Sequence, residues 1–195
     1  TFDLINRYLR LSGQTVEFVE NITDIDDPLF ERAKRDNQSW SELGSSQIAL
    51  FESDMTSLRI LPPKNYVSVT EAMPSIISAI ELLVRKGDTY ELSGNIYFRI
   101  VPYLAELPVN PDEALRIFAE RGGDPQRPGK ENPLDPILWI ANKEGEPGWE
   151  SQMGFGRPGW HIECSVIALE NLLGEDYLKE DFEFRKTIAL QGGGS

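Results

Sequence analysis

Thr15-Val16-Glu17-Phe18-Val19-Glu20, followed directly by Asn21-Ile22-Thr23-Asp24-Ile25-Asp26-Asp27, reads as a short β-rich run that delivers a polar cluster at its carboxyl end. Ahead of it, Phe2, Ile5, Tyr8 and Leu9 form a helical stripe that stops at Gly13. A helix, a strand and polar residues at the strand's carboxyl end make an α/β unit, with its ligand-binding edge at that cluster. The first helix has no visible N-cap, which implies that the chain continues upstream of Thr1.

The carboxylates of Asp24, Asp26 and Asp27 suit either a hard cation such as magnesium or a helix cap. Pro28 favours the cap at Asp27, because Pro belongs at the first helical position and Asp just before it. Leu29, Phe30 and Ala33 mark the helix that follows. A longer one carrying Leu43, Ile48, Phe51, Met55 and Leu58 is expected to run to Leu61-Pro62-Pro63, where the prolines stop it.

Beyond the prolines the pattern changes. Tyr66 to Val69 leads into a helix capped by Thr70, with Met73, Ile76, Ile77, Ile80, Leu83 and Val84 on one face and Gly87 at its end. Thr89–Leu92 and Ile96–Ile100, joined through Ser93-Gly94-Asn95, form a hairpin pattern, and Pro111 opens a helix through Ala114, Leu115 and Phe118 to Gly122-Gly123. After a Gly- and Pro-rich loop, Leu134–Trp139 reads as a short strand. Residues 62–150 thus read as a mixed insertion between two α/β flanks, 1–61 and 151–195.

In the second flank, Arg157-Pro158-Gly159-Trp160-His161-Ile162-Glu163-Cys164-Ser165 holds the only histidine and the only cysteine of the chain. Pro158-Gly159 reads as a turn, and Ile162, Val166, Leu169 and Leu173 recur at helical spacing up to Gly174. His161 and Cys164 are therefore expected to open a helix on one face, near backbone amides without intrahelical partners. That place suits a thiolate, free or on zinc. It also suits a small buried hydrophobe beside a hydrogen-bonded structural histidine. One Cys and one His cannot complete a zinc shell, so any metal site has to borrow ligands from outside this chain.

The last stretch, Lys186–Gln191, has the pattern of a buried strand running into Gly192-Gly193-Gly194-Ser195. A glycine-rich loop after a strand approaches a nucleotide closely, although Gly-Gly-Gly-Ser is also the composition of an engineered linker. The composition narrows the classes further. Sixteen glycines and thirteen prolines imply many turns, with no repeat, no membrane-length apolar run and no leader pattern. A lone cysteine excludes an internal disulfide framework, and the chain reads as soluble and cytosolic. A net charge of −13 repels phosphate backbones unless a local basic patch overrides it, and Lys and Arg are scattered.

Gly145-Glu146-Pro147, Gly156–Cys164, Asn21–Asp27 and Gly192-Gly193-Gly194, which together span almost the whole chain, resemble signatures of cysteinyl-tRNA synthetases and their relatives, the mycothiol cysteine ligases. The resemblance implies an incomplete class I synthetase catalytic domain of Rossmann-like α/β fold with an inserted mixed connective subdomain, and it makes the terminal glycines native sequence. Within the superfamily, Asp27-Pro28-Leu29-Phe30-Glu31-Arg32-Ala33, Leu61-Pro62-Pro63 with Tyr66-Val67, Phe118–Asp124 with Arg127–Lys130, and Gln191 before the glycines resemble the ligases.

The resemblance implies that Cys164 is a zinc ligand, that zinc takes the thiolate of substrate L-cysteine, and that Thr23 and Trp160 line the aminoacyl-adenylate pocket. Gly192, Gly193, Gly194 and Ser195 would lie beside the adenosine. The role of His161 stays open. A further zinc cysteine and a phosphate-binding signature are expected upstream, with more zinc ligands and a lysine-rich loop downstream, so the fragment alone is expected to be inactive. The intact enzyme would use ATP with Mg2+ and Zn2+, form cysteinyl-adenylate and acylate glucosaminyl-inositol, with tRNA disfavoured as partner. A cysteinyl-tRNA synthetase and a non-catalytic relic are the alternatives.

Overall fold

The computed structural model describes residues 1–174 and 178–179. They fall into two compact units, one built from Thr1–Met73 with the described residues from Ile167 onward, the other from Pro74–Val166.

The first unit opens with α1 (Phe2–Leu11), which ends before Gly13 in the left-handed region at φ +83. Next comes β1, Val19–Ile22, whose four residues pair in parallel with β2, Asn65–Ser68, from Val19 opposite Asn65 to Ile22 opposite Ser68. The strand thus lies later than the Thr15–Glu20 run and takes Asn21 and Ile22 out of the polar cluster. Its position is set by its partner: Lys64 donates its amide to the Phe18 carbonyl at 2.7 Å, and the ladder starts there.

Between the strands run α2 (Asp27–Arg35) and α3 (Trp40–Ser57), the crossover that a parallel pair requires. The cap of α2 is Asp26 rather than Asp27: Asp26 Oδ1 accepts the Leu29 amide at 2.8 Å, and Pro28 sits one place further inside the helix. Pro tolerates both places because neither amide has an intrahelical partner. The second helix stops at Ser57, before the prolines, because Arg59 turns left-handed at φ +56 and closes the end. Ser68, not Thr70, caps α4 (Val69–Lys86), its hydroxyl accepting the Glu71 amide at 3.1 Å. Thr70 instead gives its amide to Asp24 Oδ1 at 3.1 Å and its hydroxyl to Asp24 Oδ2.

The second unit is built on a four-stranded antiparallel sheet in the order β3 (Thr89–Leu92), β4 (Asn95–Phe98), β5 (Ile137–Ala141), β6 (Gly156–Pro158). The hairpin expected at Ser93-Gly94 is present, both residues having positive φ as a two-residue turn demands. Pro158 is not in a turn; it ends β6 opposite Trp139, which an edge strand permits because its outer side needs no amide. Val101–Glu106 forms a 3-10 turn, and α5 (Pro111–Glu120) starts where expected, capped by Asn110 on the Glu113 amide at 2.9 Å. Ile76, Ile80, Tyr97, Trp139 and Val166 are sealed from solvent.

After α5 the loop to Lys130 is held by a buried cation. Lys130 Nζ donates to Asp124 Oδ1 at 3.0 Å and to the Pro133 carbonyl at 2.9 Å, and lies 4.8 Å from the Phe118 ring centre. Tyr97 donates its hydroxyl to Asp124 Oδ2 at 3.1 Å, and burial, reinforced by that carboxylate, pushes its phenol up to about 12. Lys130→Met keeps the length and removes the charge. It is expected to cost about 2 kcal/mol, below the usual loss for a broken buried pair because solvent reaches Asp124. A urea midpoint equal to the parent's would refute this.

Candidate active site

Three of the four signature segments lie among the described residues. In the first unit, Thr23 follows β1 and is exposed, at the rim of a cleft of 190 Å³ whose walls include Ile22, Leu29, Ile48 and Phe51. Asp24, beside it, joins the carboxyl ends of the parallel strands through Thr70. The acidic run is therefore employed in holding backbone: Asp26 caps α2 and Asp24 ties β1 to the start of α4. A cleft this small takes part of a substrate, since whole-ligand pockets start near ~300 Å³.

The second unit collects two signature segments into one place. Arg157, in β6, is buried with its guanidinium 3.6 Å from Glu146 Oε2, so Gly145-Glu146-Pro147 and Gly156–Cys164 meet through an ion pair. Trp149 and Gly156 exchange backbone hydrogen bonds at 2.7 and 3.1 Å, closing the loop between them. Gly159 leaves the edge strand, its amide donating to the Leu138 carbonyl at 2.9 Å. Trp160 and His161 follow, exposed, with ring centres 6.1 Å apart.

His161 does not share a helix face with Cys164. It stands just before α6 (Ile162–Leu173) in the left-handed region at φ +79, and its carbonyl accepts the Ser165 amide at 3.1 Å and the Ser165 hydroxyl at 3.0 Å. Periodicity could not show this, because a residue that caps a helix through its carbonyl keeps the helical count without the helical φ. Cys164 is the third residue of α6, half-buried in its first turn. Gly174 closes the helix at φ +68, as its sequence position suggested.

Glu163 has a more unusual setting than the sequence signalled. It is 5% exposed, its Oε2 is without a hydrogen-bond partner, and burial pushes the carboxyl up to about 7 against the pull of the His161 and Glu163 amides. A glutamate between an isoleucine and a cysteine carries no sequence mark of such burial.

A zinc ion needs three or four protein ligands. Among the described residues no group of three or more His, Cys, Asp or Glu side chains is arranged to hold a metal, and Cys164 is one soft donor. These residues alone do not make a metal centre. Gly192, Gly193, Gly194 and Ser195, expected beside adenosine, lie outside the described residues. No described helix is long and apolar enough to cross a membrane.

Similarity to known proteins runs along the whole chain. A ligase from Corynebacterium jeikeium, named L-cysteine:1D-myo-inositol 2-amino-2-deoxy-alpha-D-glucopyranoside ligase 2, is 48% identical over 202 residues, covering 100% of this chain and 46% of the relative. Similar proteins of Streptomyces griseus and Gordonia bronchialis, named as the same kind of ligase, are each 48% identical and are covered to the same extents. The chain thus spans less than half the length of the curated relatives it matches. The family model for tRNA synthetases class I (C) catalytic domain matches residues 1–194. With a parallel pair that carries its polar residues at the carboxyl ends and an antiparallel sheet that presents Trp160 and Cys164, the chain belongs to the class I (C) tRNA synthetase catalytic-domain family.

Proposed function

We propose that this chain is the internal part of a longer cytoplasmic ligase that activates L-cysteine with ATP and Mg2+ and transfers the cysteinyl group to the amine of glucosaminyl-inositol. The observation that carries this reading is 48% identity, sustained over the whole chain, to relatives named for that acceptor. The reading keeps 62–150 as a connective insertion between the two parts of the catalytic domain, 1–61 and 151–195.

In the reaction, the cysteine carboxylate attacks the α-phosphate of ATP and releases pyrophosphate. The acceptor amine then attacks the adenylate carbonyl, forms the amide, loses a proton and expels AMP. Thr23, Trp160, Gly192, Gly193, Gly194 and Ser195 are assigned to the adenylate pocket, where holding the carbonyl in reach of the amine supplies much of the acceleration. Cys164 is assigned as one ligand of a zinc ion whose other ligands come from outside this chain. Zinc there would separate a thiol substrate from a hydroxyl one by its preference for sulfur.

The charge supports a small acceptor. With 19 basic residues against 32 acidic ones, the field of this chain opposes an RNA backbone and favours an amine. The longer enzyme, given ATP and cysteine, is expected to form the amide on glucosaminyl-inositol and to leave tRNA uncharged. Cysteine transfer to tRNA, with none to the aminosugar, would overturn the assignment.

A further inference from the structure

We propose that Gly122 is a positioning residue for Trp160, and that the loop from Phe118 to Lys130 thereby forms part of the support of the substrate-facing wall. The inference rests on the reading that Trp160 lines the cysteinyl pocket.

The observation is steric. A Cβ built on Gly122 would stand 2.9 Å from both Cε3 and Cζ3 of Trp160 and 3.6 Å from Cδ2. The indole therefore rests on the bare backbone of Gly122, in space that any other residue would take. Trp160 is 48% exposed, so about half of the side chain is open to solvent and the Gly122 backbone is part of the wall that covers the rest.

The wall itself is fixed. Gly122 lies at φ +83, a conformation that glycine adopts without strain. Gly123 donates its amide to the Phe118 carbonyl at 2.8 Å and packs so tightly on that ring that its own Cβ would fall 2.6 Å from Phe118 Cγ. Lys130 lies over the other part of this assembly, 4.8 Å from the Phe118 ring centre, and is anchored to Asp124. The turn at Gly122-Gly123 is thus tied to α5 through Phe118 and, through the adjacent Asp124, to Lys130. Gly122 and Trp160 are far apart in sequence, and neither the helix end nor the signature around Cys164 implies this partnership alone.

The positioning matters because an indole that lines the pocket sets how well cysteine fits it, and binding lost alike from ground and transition states appears in KM rather than in kcat. A Cβ at Gly122 displaces the indole from this seat, and on the reading that Trp160 lines the cysteinyl pocket a displaced indole weakens the fit of cysteine.

The test uses the longer enzyme labelled with 5-fluorotryptophan, the Trp160 line being assigned with Trp160→Phe. Gly122→Ala and Gly122→Asn are compared, since Asn tolerates the left-handed region and separates backbone strain from the clash. Gly87→Ala is the control: Gly87 has φ +79 and nothing within 4 Å of its Cβ position. Both Gly122 variants are expected to move the Trp160 fluorine line and leave the Trp139 line in place. In cysteine-dependent pyrophosphate exchange, KM for cysteine is expected to rise at least about tenfold with a smaller change in kcat. Gly87→Ala should change neither. An unmoved Trp160 line in both Gly122 variants overturns the inference. A moved line with unchanged KM overturns the role in the reaction and, with it, the placing of Trp160 in the pocket. A parent enzyme without exchange activity would sink the adenylate reading, while the fluorine line still decides whether Gly122 positions Trp160.

Discussion

Asp135→Ala is expected to unfold the antiparallel unit at temperatures where the parent is intact. Asp135 is sealed from solvent, and each of its oxygens is in use. Oδ1 accepts the Ile100 amide at 2.9 Å; Oδ2 accepts the Asn132 amide at 2.7 Å and the Tyr90 hydroxyl at 2.9 Å. One carboxylate therefore ties β3, the start of the 3-10 turn and the loop before β5. Alanine leaves three part-buried donors without this partner, at roughly 1–3 kcal/mol each, so a loss of about 4–6 kcal/mol is expected. That is comparable with the whole stability of many domains, which is about 5–15 kcal/mol. Asp135→Asn should lose less, about 2 kcal/mol, because its carbonyl oxygen can serve the two donors at Oδ2 while its amide opposes only the Ile100 N–H. Thermal melting followed by circular dichroism, with proteolysis between Thr89 and Pro158 as the local probe, distinguishes the two. Equal melting temperatures for Asp135→Ala and the parent would show that the network contributes little.

What the sequence revealed depended on how local the determining physics is. The hairpin at Ser93-Gly94, the helix start at Pro111 and the Gly87 and Gly174 helix ends are settled by residues within one turn, and each was legible. Strand position was not, because β1 is defined by its parallel partner at Asn65–Ser68, more than forty residues away. Helix caps came out one or two residues off: Asp26 for Asp27 and Ser68 for Thr70. Neighbouring polar residues compete for the same amides, and Asp24 had already engaged Thr70. At the candidate site, Thr23 and Trp160 are singled out only by a resemblance between motifs, whereas Cys164 is singled out also as the one cysteine of the chain. The ion pair of Arg157 with Glu146, the burial of Glu163 and the seat of Trp160 on Gly122 arise from the folded arrangement of segments that carry no mark of one another.

Gly159→Ala is expected to disable the site by moving backbone, although Gly159 bears no chemistry. A Cβ on Gly159 would enter the van der Waals shell of the Ile137 carbonyl oxygen, and would lie 2.8 Å from the Ile137 carbonyl carbon and 2.9 Å from its Cγ2. The first two obstacles are backbone in β5, which a rotamer change cannot remove. Either β6 lifts off β5 or β5 shifts within the sheet, and both routes break the hydrogen bond that the Gly159 amide donates to the Leu138 carbonyl. Overpacking against side chains costs about 1–3 kcal/mol; a clash with an immovable carbonyl plus a lost hydrogen bond raises this above about 3 kcal/mol. At roughly 2–4 °C per kcal/mol for a chain of this size, the melting temperature should fall by about 10 °C. The functional loss should be larger than the stability loss, because Trp160, His161 and the first turn of α6 hang directly from Gly159, and Cys164 moves with them. Gly154→Ala, on the same segment at φ +95 with open space around its Cβ, carries backbone strain without the collision and should retain the parent's melting behaviour to within a few degrees. If Gly159→Ala melts like Gly154→Ala, then the approach of β6 to β5 is looser than the backbone positions require, and the sheet edge does not set the placement of Cys164.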